Sequence, residues 1–151
     1  MSMQPIWTAQ VLYEALSETE WVKADHVALE LIQGSDPSLH ATMHDHGDLP
    51  LYLAVMGEQI VVEALLWPVC DVKEPSAFNE EVLRSHKLFP LSSIGLEKMP
   101  NGQDGYIMFG SLSSSANLSD VVFEVELLAG NVIKATQAYE DFLKPKHQQE
   151  S

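Results

Sequence analysis

Apolar residues recur along this chain with two periods, and the switches between them mark out its elements. Val11, Leu12, Ala15 and Leu16 follow helical spacing. Thr8 ahead of them is a good N-cap, and Trp7 can pack on Leu12 as a hydrophobic staple. The polar cluster Ser17 to Glu20 ends this first helix. From His26 the period drops to two, with Val27, Leu29 and Leu31 on one face, and Gly34-Ser35-Asp36-Pro37 makes a turn. Leu39, Ala41 and Met43 alternate again until Gly47-Asp48 breaks the run. Leu51, Leu53 and Val55 repeat the pattern up to Gly57, and Ile60, Val62, Ala64 and Leu66 continue it. Trp67-Pro68 stops the ladder, because proline has no N–H to donate. The simplest arrangement is a four-stranded antiparallel meander.

Helical spacing returns at Phe78, Val82, Leu83 and His86, with Ser76 as cap, Arg84 and Lys87 near the C-terminal end of the dipole, and Pro90 beyond. Ser92 to Lys98 and Tyr106 to Ser113 flank the turn-forming stretch 100–105, which predicts a hairpin. From Asp120 to Leu127 the alternation also suits a strand, but length decides. Leu118, Val122, Val125, Ala129, Val132, Thr136, Tyr139 and Leu143 keep steps of three and four for longer than a strand would, predicting one helix over 118–143. Gly130 inside it is either a weak point costing about 1 kcal/mol relative to alanine or a site of close backbone approach. Val121, Leu128, Ala135 and Phe142 form a second apolar stripe on the same helix. That stripe either faces a second copy in a homodimer or is buried within one domain. Either the sheet or this long helix could receive a segment of a protein partner, and on the helix Val121, Val125, Leu128, Val132, Tyr139 and Phe142 are the candidate partner-binding residues. The order predicts a single α+β domain over 1–144: a twisted antiparallel sheet of about five to six strands with an N-terminal, a central and a long C-terminal helix. A flexible tail is expected at 145–151.

A chain of 151 residues is the length of one ordinary domain, burying roughly 68–70% of the surface its unfolded form exposes. Its 22 acidic and 8 basic residues give a net charge of -14, which repels phosphate backbones and anionic headgroups and argues against nucleic acid as partner. The acidity is uneven: residues 1–50 hold eight acids against Lys23 alone. A basic partner docking there is one reading and plain solubility the other. Glu58, Glu63 and Pro68 interrupt the apolar runs, so none reaches the ~20 residues that span a bilayer, and a soluble protein is expected. Met1 to Trp7 lacks the basic and apolar parts of a secretory signal, and Cys70 is the single cysteine, so no internal disulfide can form. The bacterial cytoplasm is the expected compartment, where the Asn117-Leu118-Ser119 sequon stays unused.

The chain carries no phosphate-cradling glycine loop, nucleophile elbow, HExxH or Cys-x-x-Cys motif, and no cofactor is expected. Cys70 lies in an apolar neighbourhood that favours packing over nucleophilic chemistry. The one constellation with metal-ligand character is His40, His44 and His46, with Asp45 and Asp48 alongside. If 39–46 is extended, all three imidazoles project from the face opposite Leu39, Ala41 and Met43, and neighbours two apart can share a zinc ion. The simpler reading is a polar outer strand face, which with a histidine pKa near 6.5 also allows a pH-sensitive surface. Ser111, Ser113, Ser114 and Ser115 read as a loop.

Several stretches resemble the bacterial YjfI family: Gly57-Glu58-Gln59-Ile60, Leu66-Trp67-Pro68-Val69, Leu83-Arg84-Ser85-His86-Lys87-Leu88, Pro90-Leu91-Ser92-Ser93, Phe109-Gly110-Ser111-Leu112-Ser113 and Leu118-Ser119-Asp120. The resemblance spans roughly residues 50–143. Members of that family are often encoded beside a homologue of the phage-shock protein PspA, so the resemblance implies an accessory role in envelope stress with a PspA-like protein as partner. It carries no catalytic residues. The architecture is also similar to that of type III secretion chaperones and YbjN-like proteins, in fold and composition only. The expected function is a protein-interaction or chaperone-like accessory module; the alternative is a small metal-dependent enzyme using His40, His44 and His46.

Overall fold

In the computed structural model, which describes residues 6–145, the period-two segments become six antiparallel strands of one sheet. They are β1 (Val27–Ile32), β2 (Ser38–Met43), β3 (Leu49–Met56), β4 (Gln59–Pro68), β5 (Ser93–Lys98) and β6 (Asp104–Ser113). Their order in space is β1-β2-β3-β4-β6-β5. The first four form the expected meander. The C-terminal hairpin then pairs its second strand with β4, from Gln59↔Ser113 to Pro68↔Gly105, leaving β5 at the far edge. Register follows the apolar pattern, because a slip of one residue would turn every core side chain outward. One row on the inner face runs Leu31, Leu39, Leu53, Val62 and Gly110 across five strands.

β4 departs from simple alternation. The register shifts between Leu65 and Trp67, so Leu66 is an extra residue and Trp67 takes the inner position opposite Tyr106. Trp67 is accordingly buried. A bulge of this kind bends the strand and re-aims its last side chains.

Helices cover the inner face. α1 (Ala9–Ser17) starts where expected, the Thr8 hydroxyl accepting from the Val11 N–H at 3.2 Å, and buries Ala9, Leu12 and Leu16 over β1 and β2. Trp7 is also tied to the loop before the last helix, its N–H donating to the Ser114 carbonyl and its indole N–H to that of Ala116. After the polar break comes one further turn, α2 (Glu20–Lys23), which the pattern did not predict. α3 spans Pro75–Ser85 with proline in its first turn, so the cap position is Glu74 and Ser76 lies inside the helix. Phe78 on α3 is the hub of an aromatic cluster, its ring 4.8 Å from Tyr106, 5.1 Å from Tyr139, 5.4 Å from Phe142 and 6.0 Å from Trp67. The two phenols keep partners: Tyr106 donates to Asn79 at 2.5 Å, and Tyr139 shares a 2.6 Å bond with Ser85.

α4 (Leu118–Ala138) is capped by Asn117, whose side chain accepts from the Asp120 N–H. It ends sooner than the period implies. Glu140–Phe142 form a short 3₁₀ turn, and the chain is pinned to residues 71–73 by Lys73 N–H to Phe142 O, Lys144 N–H to Asp71 O and the Val72–Leu143 bridge. Both apolar stripes turn inward. Val121, Val125, Leu128, Val132 and Tyr139, read from sequence as a partner surface, lie in the core under the helix, and Phe142 is half-buried against Phe78. The first five are covered while the domain is folded, and Phe142 is covered in part. The large apolar residues this helix does expose are Phe123 and Ile133. Of the expected tail, all but Pro145 lies outside the described residues.

Gly130 resolves to the weak point. A Cβ built there meets nothing within 4 Å, so no close approach requires glycine. Gly130→Ala should therefore stabilise the protein by about 0.5–1 kcal/mol. Urea unfolding followed by far-UV circular dichroism checks this; a loss of stability would mean that the backbone there is not ordinary helix.

Candidate functional site

The three histidines separate in space. β2 ends at Met43, and His44–His46 form a 3₁₀ turn followed by left-handed backbone at Gly47 (φ 68°) and Asp48 (φ 60°), so the extended backbone expected over 39–46 stops three residues short. His40 stays on the outer sheet face, its ring centroid 5.0 Å from that of Tyr52. His44 turns toward the segment before β1, with Nδ1 2.8 Å from Asp48 and Nε2 3.6 Å from Asp25. His46 points at α4, its Nδ1 4.0 Å from Glu126, whose other oxygen accepts from the Trp21 indole at 2.6 Å. Among the described residues no three His, Cys, Asp or Glu side chains are placed to hold one metal ion.

The 44–48 turn and residues 25–26 instead build a network of imidazole–carboxylate pairs. His44 N–H donates to the His26 carbonyl, and His26 Nδ1 lies 2.6 Å from Asp45. The Asp48 hydrogen bond raises the His44 pKa above its ordinary 6.5, burial opposes, and the charges of Asp25, Asp48 and Asp45 add to the rise. Cys70 sits half-buried in a turn, its thiol donating to an Asp71 carboxylate oxygen at 3.9 Å.

A different feature stands out on the side of the sheet away from the helices. The outer row Glu30, His40, Tyr52, Glu63, Phe109 and Ser93 crosses all six strands in register. At its centre the face is apolar: Tyr52 is 43% exposed and Leu65 49%, with Ile107 and Phe109 beside them, while Met56, 57% exposed, lies farther off at the β3–β4 turn. A groove of about 540 Å³ runs here, lined by Tyr52, Glu63, Leu65, Ile107 and the end of the β5–β6 hairpin from Glu97 to Asn101. Met99 forms part of that wall by folding onto Gly105, where a Cβ would meet its Sδ at 2.5 Å. Glu63 is half-buried in this setting, and burial first, then the charge of Glu97, push its pKa above 4.5.

Sequence reasoning passed over this face because it followed one parity of each strand. The missed signal is that Ala64-Leu65-Leu66-Trp67 and Tyr106-Ile107-Met108-Phe109 are apolar at both parities, as in strands covered on two sides. The groove thus sets a carboxylate, Glu63, on an apolar floor of Tyr52, Leu65 and Ile107.

Two titrations probe these environments. For His44 the folded pKa is raised, so its stabilisation is complete below about pH 6.5 and lost as pH rises through the folded value. His44→Gln should lower the melting temperature at pH 6 and leave it unchanged at pH 9. For Glu63 the folded pKa is also raised, so ionisation favours the unfolded chain once pH exceeds about 4.5. Glu63→Gln should raise the melting temperature at pH 7.5 and change it little at pH 4, measured by thermal circular dichroism in matched salt.

Comparison with known proteins bears out the resemblance and the architecture. The chain is 31% identical over 111 residues to "Uncharacterized protein YjfI" of Escherichia coli strain K12, covering 74% of this chain and 83% of that one. The fold matches the crystal structure of YbjN from E. coli with a TM-score of 0.63 at 11% identity, over 95% of this chain and 99% of that one. It also matches a chain of the HopA1-SchA chaperone-effector complex, with a TM-score of 0.56 at 15% identity over 86% and 97%. An uncharacterized protein from Methanothermobacter thermautotrophicus gives 0.55 at 10% identity over 87% and 99%. At these identities the likeness is one of fold. A family model spans residues 6–143 of the sequence, and the chain belongs to that bacterial family, described as "Uncharacterized protein conserved in bacteria (DUF2170)".

Proposed function

We propose that this protein is a cytoplasmic protein-interaction module that receives a segment of its partner on the open face of the sheet. The observation that carries the reading is the apolar centre of that face, with Tyr52 and Leu65 exposed in a groove that Ile107 and Met99 also line. A sheet face left to water is ordinarily polar at alternate positions, and contiguous exposed apolar surface marks sites of contact. The chaperone-effector complex that shares this fold is a protein–protein assembly, which agrees with the proposal. The partner implied by the YjfI resemblance is a PspA-like protein, and the setting envelope stress. Self-association through α4 forms no part of the proposal, because the stripe that would mediate it is in the core.

Membrane insertion is likewise no part of it: among the described residues no helix is long and apolar enough to cross a bilayer. A metal-dependent reaction at His40, His44 and His46 has no shared ligand set behind it, since the three side chains point to three neighbourhoods.

The test is capture from a native lysate of the source bacterium with the purified chain as bait. Leu65 is 49% exposed, so Leu65→Glu should leave the melting temperature within a degree or two of wild type. The wild-type bait is expected to recover a PspA-like protein that the Leu65→Glu bait loses. Equal recovery by both would move the contact off this face.

A further inference from the structure

The groove on the open face contains two carboxylates that the fold leaves without a cation. Glu63 occupies the outer row between Tyr52 and Phe109, and Glu97 lines the same groove from the edge strand β5. Among the described residues, no Lys, Arg or His nitrogen lies within 4.0 Å of either carboxylate. Lys98, the one cationic side chain on the groove wall, lies 3.9 Å from Asp104 instead. Apolar residues line the groove beside them, Tyr52, Leu65 and Ile107 on the floor and Met99 and Pro100 on the wall; Glu63 is half-buried among these and Glu97 is exposed. Burying a carboxylate beside another carboxylate is unfavourable, and the usual remedy is an opposite charge with hydrogen-bond donors. Among the described residues neither acid has such a partner, Lys98 being paired with Asp104.

We infer that the groove takes a basic, apolar segment of a partner protein, seating an aliphatic side chain on Leu65 and Ile107 and an arginine between Glu63 and Glu97. The inference deepens the open-face reading and rests on it. Arginine fits better than lysine for two reasons. Its planar fork pairs with a carboxylate through two parallel hydrogen bonds, and its flat face stacks on aromatic rings such as Tyr52, the cross-strand neighbour of Glu63. The pair would form in a half-buried setting, where truncating one member costs far more than at an exposed site. A net charge of -14 on the chain draws a basic segment in from solution, so approach and seating favour the same ligand. Met99 is the adaptable part of the wall, an unbranched side chain that repacks around different aliphatic groups.

The experiment titrates the ¹⁵N-labelled full chain with two capped eight-residue peptides, one of leucine and arginine in equal numbers and one of leucine and glutamine. The Leu/Arg peptide is expected to move the amide signals of Glu63, Leu65, Glu97 and Ile107, and to bind at least tenfold more tightly than Leu/Gln. Glu63→Gln with Glu97→Gln should abolish that tenfold preference. Glu14→Gln with Asp36→Asn, which removes the same charge from exposed positions elsewhere, should preserve most of it. Equal loss in both double variants would reduce the effect to net charge and overturn the inference. Equal affinity for the two peptides at the groove would overturn it while leaving the open-face reading intact. Signals moving only at another surface would overturn both.

Discussion

The contact on which the rest depends is α4 lying along the inner face of the sheet. This one helix buries Val121, Val125, Leu128, Ala129, Val132 and Ala135 against β3, β4 and β6, strands drawn from both the meander and the hairpin. Full burial of a Val- or Leu-sized side chain is worth about 1.5–3 kcal/mol. No other element offers a comparable run of such residues. The contact also sets local chemistry. Glu124 is carried into the interior with its carboxyl against Gly110, where a Cβ would collide with it, so that β6 position is held to glycine by a residue on the helix. Burial pushes the Glu124 pKa up, which favours the neutral acid. Seven residues on, Asn131 donates to the Pro90 carbonyl at 3.0 Å and to Ser92 Oγ at 2.9 Å, fastening the connection from α3 to β5.

Because one helical layer covers one face, the two sides of the sheet face opposite demands. Inner positions must be apolar and in register, and sequence displays that demand directly. The alternation through Val27–Leu31, Leu39–Met43 and Leu51–Val55 is therefore legible, as is the amphipathic character of α1. Features that depend on distant partners are not. The Leu66 bulge exists because Trp67 has to reach the aromatic cluster around Phe78, a fact about α3 and β6 rather than about β4. The pairing of β4 with β6 across the whole of α3 is likewise non-local. The end of α4 at Ala138 is set by the hydrogen bonds that Phe142 and Lys144 make to residues 71–73, whereas the residues 139–143 themselves continue the helical period.

The candidate site was less legible than the fold, for two separate physical reasons. His40, His44 and His46 share a parity, but parity has meaning only while the backbone stays extended. Left-handed backbone at Gly47 and Asp48, together with the His44 N–H bond to His26, folds 44–46 into a turn and sends the rings apart. Gly47-Asp48 signalled the break in sequence; that the turn begins three residues earlier did not follow from it. The stripes of α4 left two alternatives open, and their burial fits the one within a single domain. Two adjacent apolar stripes cover a wide arc, and a helix laid on a six-stranded sheet with α1 beside it buries such an arc without any second molecule.

The same reasoning separates what the fold explains from what it leaves to the outer face. Proteins at 10–15% identity share this two-layer arrangement, so few particular side chains are required to build it. Individual residues on the uncovered side are freer, since packing does not dictate them. That is the side on which Glu63 stands in register between Tyr52 and Phe109. A threonine in its place would serve the strand better: β-branched, uncharged and at home on a half-buried sheet surface. Stability alone gives no reason for the carboxylate there. Its placement, half-buried beside Leu65 and within reach of the Glu97 charge, is what the proposed arginine contact accounts for.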